Sequence, residues 1–226
     1  MVASLRKTVR SMVFTNRQLA QLYYFLSFSR PVLPQWVGTD YYREKSSWEL
    51  QPDRCPCDLE LVEYLQNNNI QDQNIFHFGT GSHHILGLEN QKFSQPNEII
   101  GITASAPEHQ EYLRLSLKDR LLLKYYKVIF ADIYTLTDRS LPMLDVIALF
   151  HLGEFYIAEE APFLHHNDES LLEMFLGKLN PGGKILFYTK SIGWGYAEPI
   201  IASFVKQGKM QKIEEYKSLL VYTKGS

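Results

Sequence analysis

The sequence predicts an α/β protein built on an open, doubly wound and mostly parallel sheet of about seven strands, with an antiparallel hairpin at its end and a helical extension at its start. Three observations carry this. From Ile70 onward, short apolar runs alternate with helical patterns. Those runs are nearly continuous in apolar residues, as strands covered on both faces must be. The first of them ends in Gly79-Thr80-Gly81, a glycine loop of the kind a strand uses to turn toward a helix.

The elements follow in order. Thr15 caps a helix that places Leu19, Leu22, Tyr23 and Leu26 at helical spacing and ends at Pro31 and Pro34. Between Gln35 and Arg54 no period holds; Trp36, Tyr41, Tyr42 and Trp48 are interleaved with charges, as in a packed loop or short helices. Asp58 is read as the cap of a helix using Leu61, Val62 and Leu65, which stops in Asn67-Asn68-Asn69. Strands are predicted at Asn74–Phe78, Glu98–Thr103, Lys127–Ala131, Leu144–Phe150 and Lys184–Thr189. Between them come a helix over Glu108–Lys124 and another capped by Asp168, the latter broken by Asn180-Pro181-Gly182-Gly183. A helix around Ala197–Lys206 and a hairpin of Gln211–Tyr216 with Leu219–Thr223 complete the chain. We divide it into an N-terminal helical and aromatic cap, residues 1–57, and a sheet domain, residues 58–226.

Composition narrows the function. The 226 residues are 45% hydrophobic and 21% charged, enough to build a core and too apolar for wholesale disorder. A net charge of -2 argues against a protein that works by neutralising phosphate backbones, so no nucleic-acid partner is expected. Two cysteines make no disulfide framework. No apolar run reaches the roughly 18 residues of a membrane span, and Thr15 to Gln18 interrupt any signal-like region behind Arg6, Lys7 and Arg10. A cytoplasmic location is expected.

In such a sheet, ligands bind beyond the carboxyl ends of the strands, where the strand order reverses. His77, His83, His84 and His151 all fall at predicted strand ends or in the loops after them, while His109 starts a helix and His165 and His166 lie in a loop. With Glu154, the first four can form an acid–base or metal-binding cluster; equally, histidines in polar loops often only bond backbone. No metal-ligand spacing is present, and no metal is expected. In the fourth strand, Asp145 opens at the far end and His151 to Phe155 emerge at the ligand end, making His151 and Glu154 the candidate catalytic pair. Gly193-Trp194-Gly195-Tyr196 reads either as a substrate wall or as packing. Cys55-Pro56-Cys57 reads as two small side chains before a helix, because thiols one residue apart seldom bond to each other and Pro56 stiffens the chain between them.

Five segments, in this order, carry a resemblance. They are Phe78-Gly79-Thr80-Gly81; Gly101-Ile102-Thr103-Ala104-Ser105 with Pro107-Glu108-His109-Gln110; Phe130-Ala131-Asp132-Ile133; Leu144 through Leu152; and Leu179-Asn180-Pro181-Gly182-Gly183-Lys184-Ile185-Leu186. Together they resemble the class I S-adenosylmethionine-dependent methyltransferases over residues 58–224. In motif style they are nearest to the branch of cyclopropane-fatty-acid synthases and small-molecule methyltransferases. The resemblance implies a Rossmann-like domain, S-adenosyl-L-methionine as cofactor and transfer of a methyl group to a small-molecule substrate. It places His77, Gly79, Thr80, Gly81, Thr103, Ala104, Asp132, Ile133 and Phe150 at the cofactor, with Asp132 accepting from the adenine amine and Ile133 against the ring. It sets His151 and Glu154 beside the transferred methyl group, and makes Thr15 to Arg54 a lid. The chain departs from the pattern at three positions: His77 and Thr103 stand where the family has acids, and His83 where it has a third glycine. Those departures favour a rival, a non-catalytic protein of the same fold that binds a nucleoside-like ligand or a protein partner.

Overall fold

Every apolar run becomes a strand: β1 (Asn74–Phe78), β2 (Glu98–Thr103), β3 (Tyr126–Phe130), β4 (Leu144–Ala148), β5 (Leu179–Tyr188), β6 (Met210–Tyr216) and β7 (Leu219–Lys224). Around them lie α1 (Cys57–Asn67), α2 (Ile85–Asn90), α3 (Ala106–Lys118), α4 (Arg120–Tyr125), α5 (Asp168–Lys178) and α6 (Trp194–Lys206), with short 3-10 turns after β3 and before α5. The computed structural model describes Gln18 and residues 47–225. The helix expected after Thr15, the aromatics Trp36, Tyr41 and Tyr42, and most of the expected lid and cap lie outside the described residues. Residues 47–225 fall within one unit, 38–226.

The seven strands form one sheet in the order β3-β2-β1-β4-β5-β7-β6. The first five are parallel, and β7 runs antiparallel between β5 and β6. The chain winds outward from β1 to β3 and then returns to lay β4 against β1, so the loops after β1 and β4 diverge and leave a crevice between them.

Alternation along each strand fills both faces. Ile75, Val146, Leu186 and Val221 pack with Leu61 and Leu65 of α1, Leu86 of α2, Tyr112 of α3 and Leu122 of α4. Phe76, Ile147, Ile185 and Phe187 pack with Leu171, Leu172 and Phe175 of α5 and with Ile201 and Phe204 of α6. Among the described residues, no helix is long and apolar enough to cross a membrane.

Four local expectations change. The helix over Glu108–Lys124 breaks at Asp119, whose extended backbone lets its carboxylate accept from Leu121 N and Leu122 N and cap α4. Asn180 to Gly183 do not precede the fifth strand but bulge out of it: Leu144 pairs with Leu179 and Val146 already with Lys184. Asp168 is not the cap of α5. Asn167 is, accepting from Ser170 N, while Asp168 accepts from Gly153 N and the Tyr134 hydroxyl. Asp58 does not cap α1, which starts at Cys57 after Pro56 with no side-chain cap; its carboxylate turns inward instead.

Candidate functional site

A cavity of about 300 Å³ opens beyond the ends of β1, β4 and β5, at the crevice the strand order creates. Its floor is the glycine loop. Gly79 has φ +87° and Gly81 φ +55°, conformations that L side chains avoid. A Cβ on Gly79 would fall on the His151 ring, and one on Gly81 on the His83 ring and the Trp48 carbonyl. Glycine is therefore required there by what packs over it as well as by the turn. Trp48 straps the loop from outside. Its carbonyl accepts from Ser82 N (2.8 Å) and Ser82 Oγ (3.0 Å), and its own N–H donates to Glu108 Oε1 (3.0 Å).

Two carboxylates reach the cavity from helices. Asp58, in the first turn of α1, lies 2.9 Å from His77 Nε2 and 3.5 Å from His83 Nε2. Burial alone would raise its pKa; the charge and hydrogen bond of His77, with His83 and His151 behind, outweigh burial and hold it below the ordinary value. Glu108, in the first turn of α3, accepts from Thr103 Oγ1 (2.6 Å), and burial pushes its pKa up. Thus each strand-end position where the methyltransferase motif carries an acid holds a side chain bonded to a carboxylate from elsewhere, His77 to Asp58 and Thr103 to Glu108. Sequence reasoning missed both acids as site residues. Asp58 was absorbed as a helix cap, and Glu108 sits five residues after Thr103, a spacing at which only the turn into α3 brings the two together.

The fourth strand's loop supplies the third group. His151 Nδ1 lies 3.1 Å from Glu154 Oε2, and Ser191 Oγ donates to Glu154 Oε1. Gly193 N–H in turn donates to Ser191 Oγ (3.1 Å). Burial disfavours charge on His151, yet the Glu154 hydrogen bond and charge, with Asp58 and Cys55 nearby, hold its pKa above the ordinary imidazole value. Glu154 is held below its usual range, because His151 and Ser191 outweigh its burial.

The remaining candidates divide. Gly79, Gly81, His83, His151 and Glu154 line the cavity. His77 is buried behind Asp58 and packs against Phe150, itself buried (ring centroids 5.9 Å). Thr80 and Thr103 are buried, and Ala104 half-buried, at the same strand ends. Asp132 accepts from Tyr134 N (3.0 Å) at the start of its own 3-10 turn, and Ile133 packs in the core, so neither lines the cavity. His84 adopts a left-handed conformation and bonds the Tyr126 hydroxyl (3.2 Å) and the Glu108 carbonyl (3.0 Å); burial pushes its pKa down to about 4, a neutral structural histidine. Among the described residues, no group of three or more His, Cys, Asp or Glu is placed to hold a metal ion. Cys55 and Cys57, read from sequence as two small side chains before a helix, line the cavity with their sulfurs 3.4 Å apart.

No protein-family model and no curated protein matches the chain. Solved structures do. The CcbJ methyltransferase from Streptomyces caelestis superposes with a TM-score of 0.56 at 10% identity, over 83% of this chain and 96% of that one. A SAM-dependent methyltransferase from Thiobacillus denitrificans, in complex with S-adenosyl-L-homocysteine, gives 0.50 at 17% identity, over 80% and 74%. TrmN from Thermus thermophilus gives 0.49 at 16% identity over 73% of this chain, which spans about half (48%) of TrmN's length. At these identities the likeness is one of fold. The seven-stranded, mostly parallel sheet with its antiparallel hairpin is a Rossmann-like fold, similar to that of the CcbJ and Thiobacillus denitrificans methyltransferases.

Proposed function

We propose that the protein is an S-adenosyl-L-methionine-dependent methyltransferase acting on a small-molecule acceptor. One observation carries the reading: a single cavity at the switch point gathers the glycine loop, the Asp58 and Glu108 carboxylates and the His151–Glu154 pair. The loop suits the cofactor because Gly79 and Gly81 bring backbone to the cavity at the place the resemblance gives to the cofactor. Glu108, held by Thr103, suits a ribose diol, and Asp58, held by His77, suits the ammonium of the methionine part. The resemblance assigns Asp132 and Ile133 to the adenine, Thr80 to the glycine loop, Ala104 to the segment by the ribose and methionine part, and Phe150 to the strand end beside the transferred methyl group. The cofactor, when bound, supplies a methyl group on a positively charged sulfur, so the protein's share is alignment and exclusion of water. His151 takes the proton of a hydroxyl or amine acceptor, Glu154 steadies the resulting imidazolium, and Ser191 orients Glu154. The assignment of residues 15–54, within the expected cap of residues 1–57, to a lid rests on the resemblance alone. A chain with two thiols and no disulfide framework belongs, in this reading, to a cytoplasmic, reducing compartment.

The rival rests on the acids missing at positions 77 and 103; the carboxylates of Asp58 and Glu108, bonded to His77 and Thr103, favour the methyltransferase reading over it. Calorimetry tests the proposal. Micromolar binding of S-adenosylmethionine and S-adenosylhomocysteine, weakened in Glu108→Gln, is expected. Absence of binding by either compound overturns it.

A further inference from the structure

Cys55 and Cys57 occupy the cavity wall without a part in the reaction proposed above. Pro56 (φ -80°, ψ 1°) curls the chain rather than extending it, and the rigidity expected to keep the thiols apart instead turns them to one side. Their sulfurs sit 3.4 Å apart, against about 2 Å for a bonded pair, so a small rotation of either side chain closes the gap. The two differ in access. Cys55 is partly exposed at the cavity, whereas Cys57, the first residue of α1, is buried.

We propose that Cys55 and Cys57 form a reactive dithiol, a modification site for low-molecular-weight disulfides, in which Cys55 attacks and Cys57 resolves. In the first step the Cys55 thiolate attacks one sulfur of the small disulfide. A Cys55–sulfur bond forms, the disulfide bond breaks, and one small thiolate leaves. In the second step the Cys57 sulfur, giving up its proton to that thiolate, attacks Cys55. The Cys55–Cys57 bond forms and the second small thiolate leaves, taking up the proton that Cys55 had released. Two protein thiols are oxidised and one small disulfide is reduced to two thiols.

The surroundings favour this order. The Cys57 hydrogen bond, helped by the charge of His151, brings Cys55 down to about 7, so that about half of it is thiolate at neutral pH. The Cys55 hydrogen bond, burial and the Asp58 charge push Cys57 well up, so that it reacts only once its neighbour is an adduct. Cys57 Sγ also donates to Asp58 Oδ1 (3.6 Å), so joining the sulfurs withdraws a donor from the carboxylate that holds His77 and His83. The inference does not depend on methyl transfer.

The test uses the full chain with oxidised glutathione, followed by alkylation under denaturing conditions and mass spectrometry, with circular dichroism to show that each variant is folded. The native chain is expected to lose both alkylatable thiols and retain no glutathione. Cys57→Ser should retain one glutathione, on Cys55. Cys55→Ser should react at least roughly tenfold more slowly than Cys57→Ser, in keeping with the fall in thiolate fraction. The proposal is overturned if the native chain keeps both thiols or ends as a stable glutathione adduct. Equal rates in the two variants overturn it as well.

Discussion

His151 is a side chain whose chemistry is set by its neighbours. An isolated imidazole, with a pKa of about 6.5, is half deprotonated near neutrality. Here Glu154 raises that value against the effect of burial, so the imidazolium persists to higher pH than in a free side chain, and the basic form appears as pH rises through the raised pKa. The sign for stability follows: the pair contributes fully below the unfolded value and loses its contribution above the folded one. In Glu154→Gln the His151 titration midpoint, read by NMR, is expected to move down toward the ordinary value. If turnover needs a neutral His151, its rising limb with pH moves down too. A midpoint unchanged by the substitution would show that Glu154 does not set it.

The breaks between helices and the strap before α1 are equally specific. Asp119 ends α3 and begins α4 with two backbone hydrogen bonds from one carboxylate oxygen. Asp119→Ala is expected to cost about 1 kcal/mol, the usual value of such a cap, measurable as a shift in the urea midpoint with unchanged slope. The strap holds the glycine loop through Trp48 and forms part of the cavity wall through Arg54 and Cys55. A chain beginning at Asp58 loses three hydrogen bonds to Ser82 and Glu108. We expect it to fold around the same sheet but to bind S-adenosylhomocysteine at least about tenfold more weakly, since tenfold corresponds to roughly 1.4 kcal/mol, about the worth of one such bond. Calorimetry on the truncated chain checks this; full affinity would show that the strap has no part in the site.

Asp58 and Glu108, both buried, pull the stability of the domain in opposite directions. Asp58 has a depressed pKa, so its contribution is present above its unfolded value of about 3.9 and is lost as pH falls through the lower, folded one. Glu108 has a raised pKa: folding favours its neutral form, so its charge works against the fold near neutrality and the penalty is relieved as pH falls. Urea unfolding near neutral pH is therefore expected to show Asp58→Asn destabilised. Glu108→Gln should be as stable as the native chain or more so, while binding the cofactor less well. Near pH 4, about where free carboxylates titrate, Glu108→Gln should lose its advantage. A strongly destabilised Glu108→Gln at neutral pH would mean that its bonds to Thr103 and Trp48 outweigh its buried charge.

The alternation of apolar runs and helical patterns is a local property, and it sufficed to predict the strands, their mostly parallel arrangement and the closing hairpin. Glycines at 79 and 81 and the Pro181-Gly182-Gly183 run are local too, because they answer to backbone conformation, and they marked the first and fifth strands without any partner in view. Where helix patterns were continuous, as over Glu108–Lys124, the break at Asp119 stayed hidden, since its capping bonds matter only once β3 must be reached. The candidate site depended on the tertiary structure. Asp58 meets His77 across nineteen residues of sequence, and Trp48 meets Glu108 across sixty. No periodicity encodes such meetings. A carboxylate placed from a neighbouring helix satisfies a strand-end side chain as well as one in the strand would, so the acids stood outside the motif positions where sequence reasoning sought them. The thiol pair is a related case: Pro56 stiffens the chain between Cys55 and Cys57, but only the folded chain sets their sulfurs 3.4 Å apart in the cavity wall.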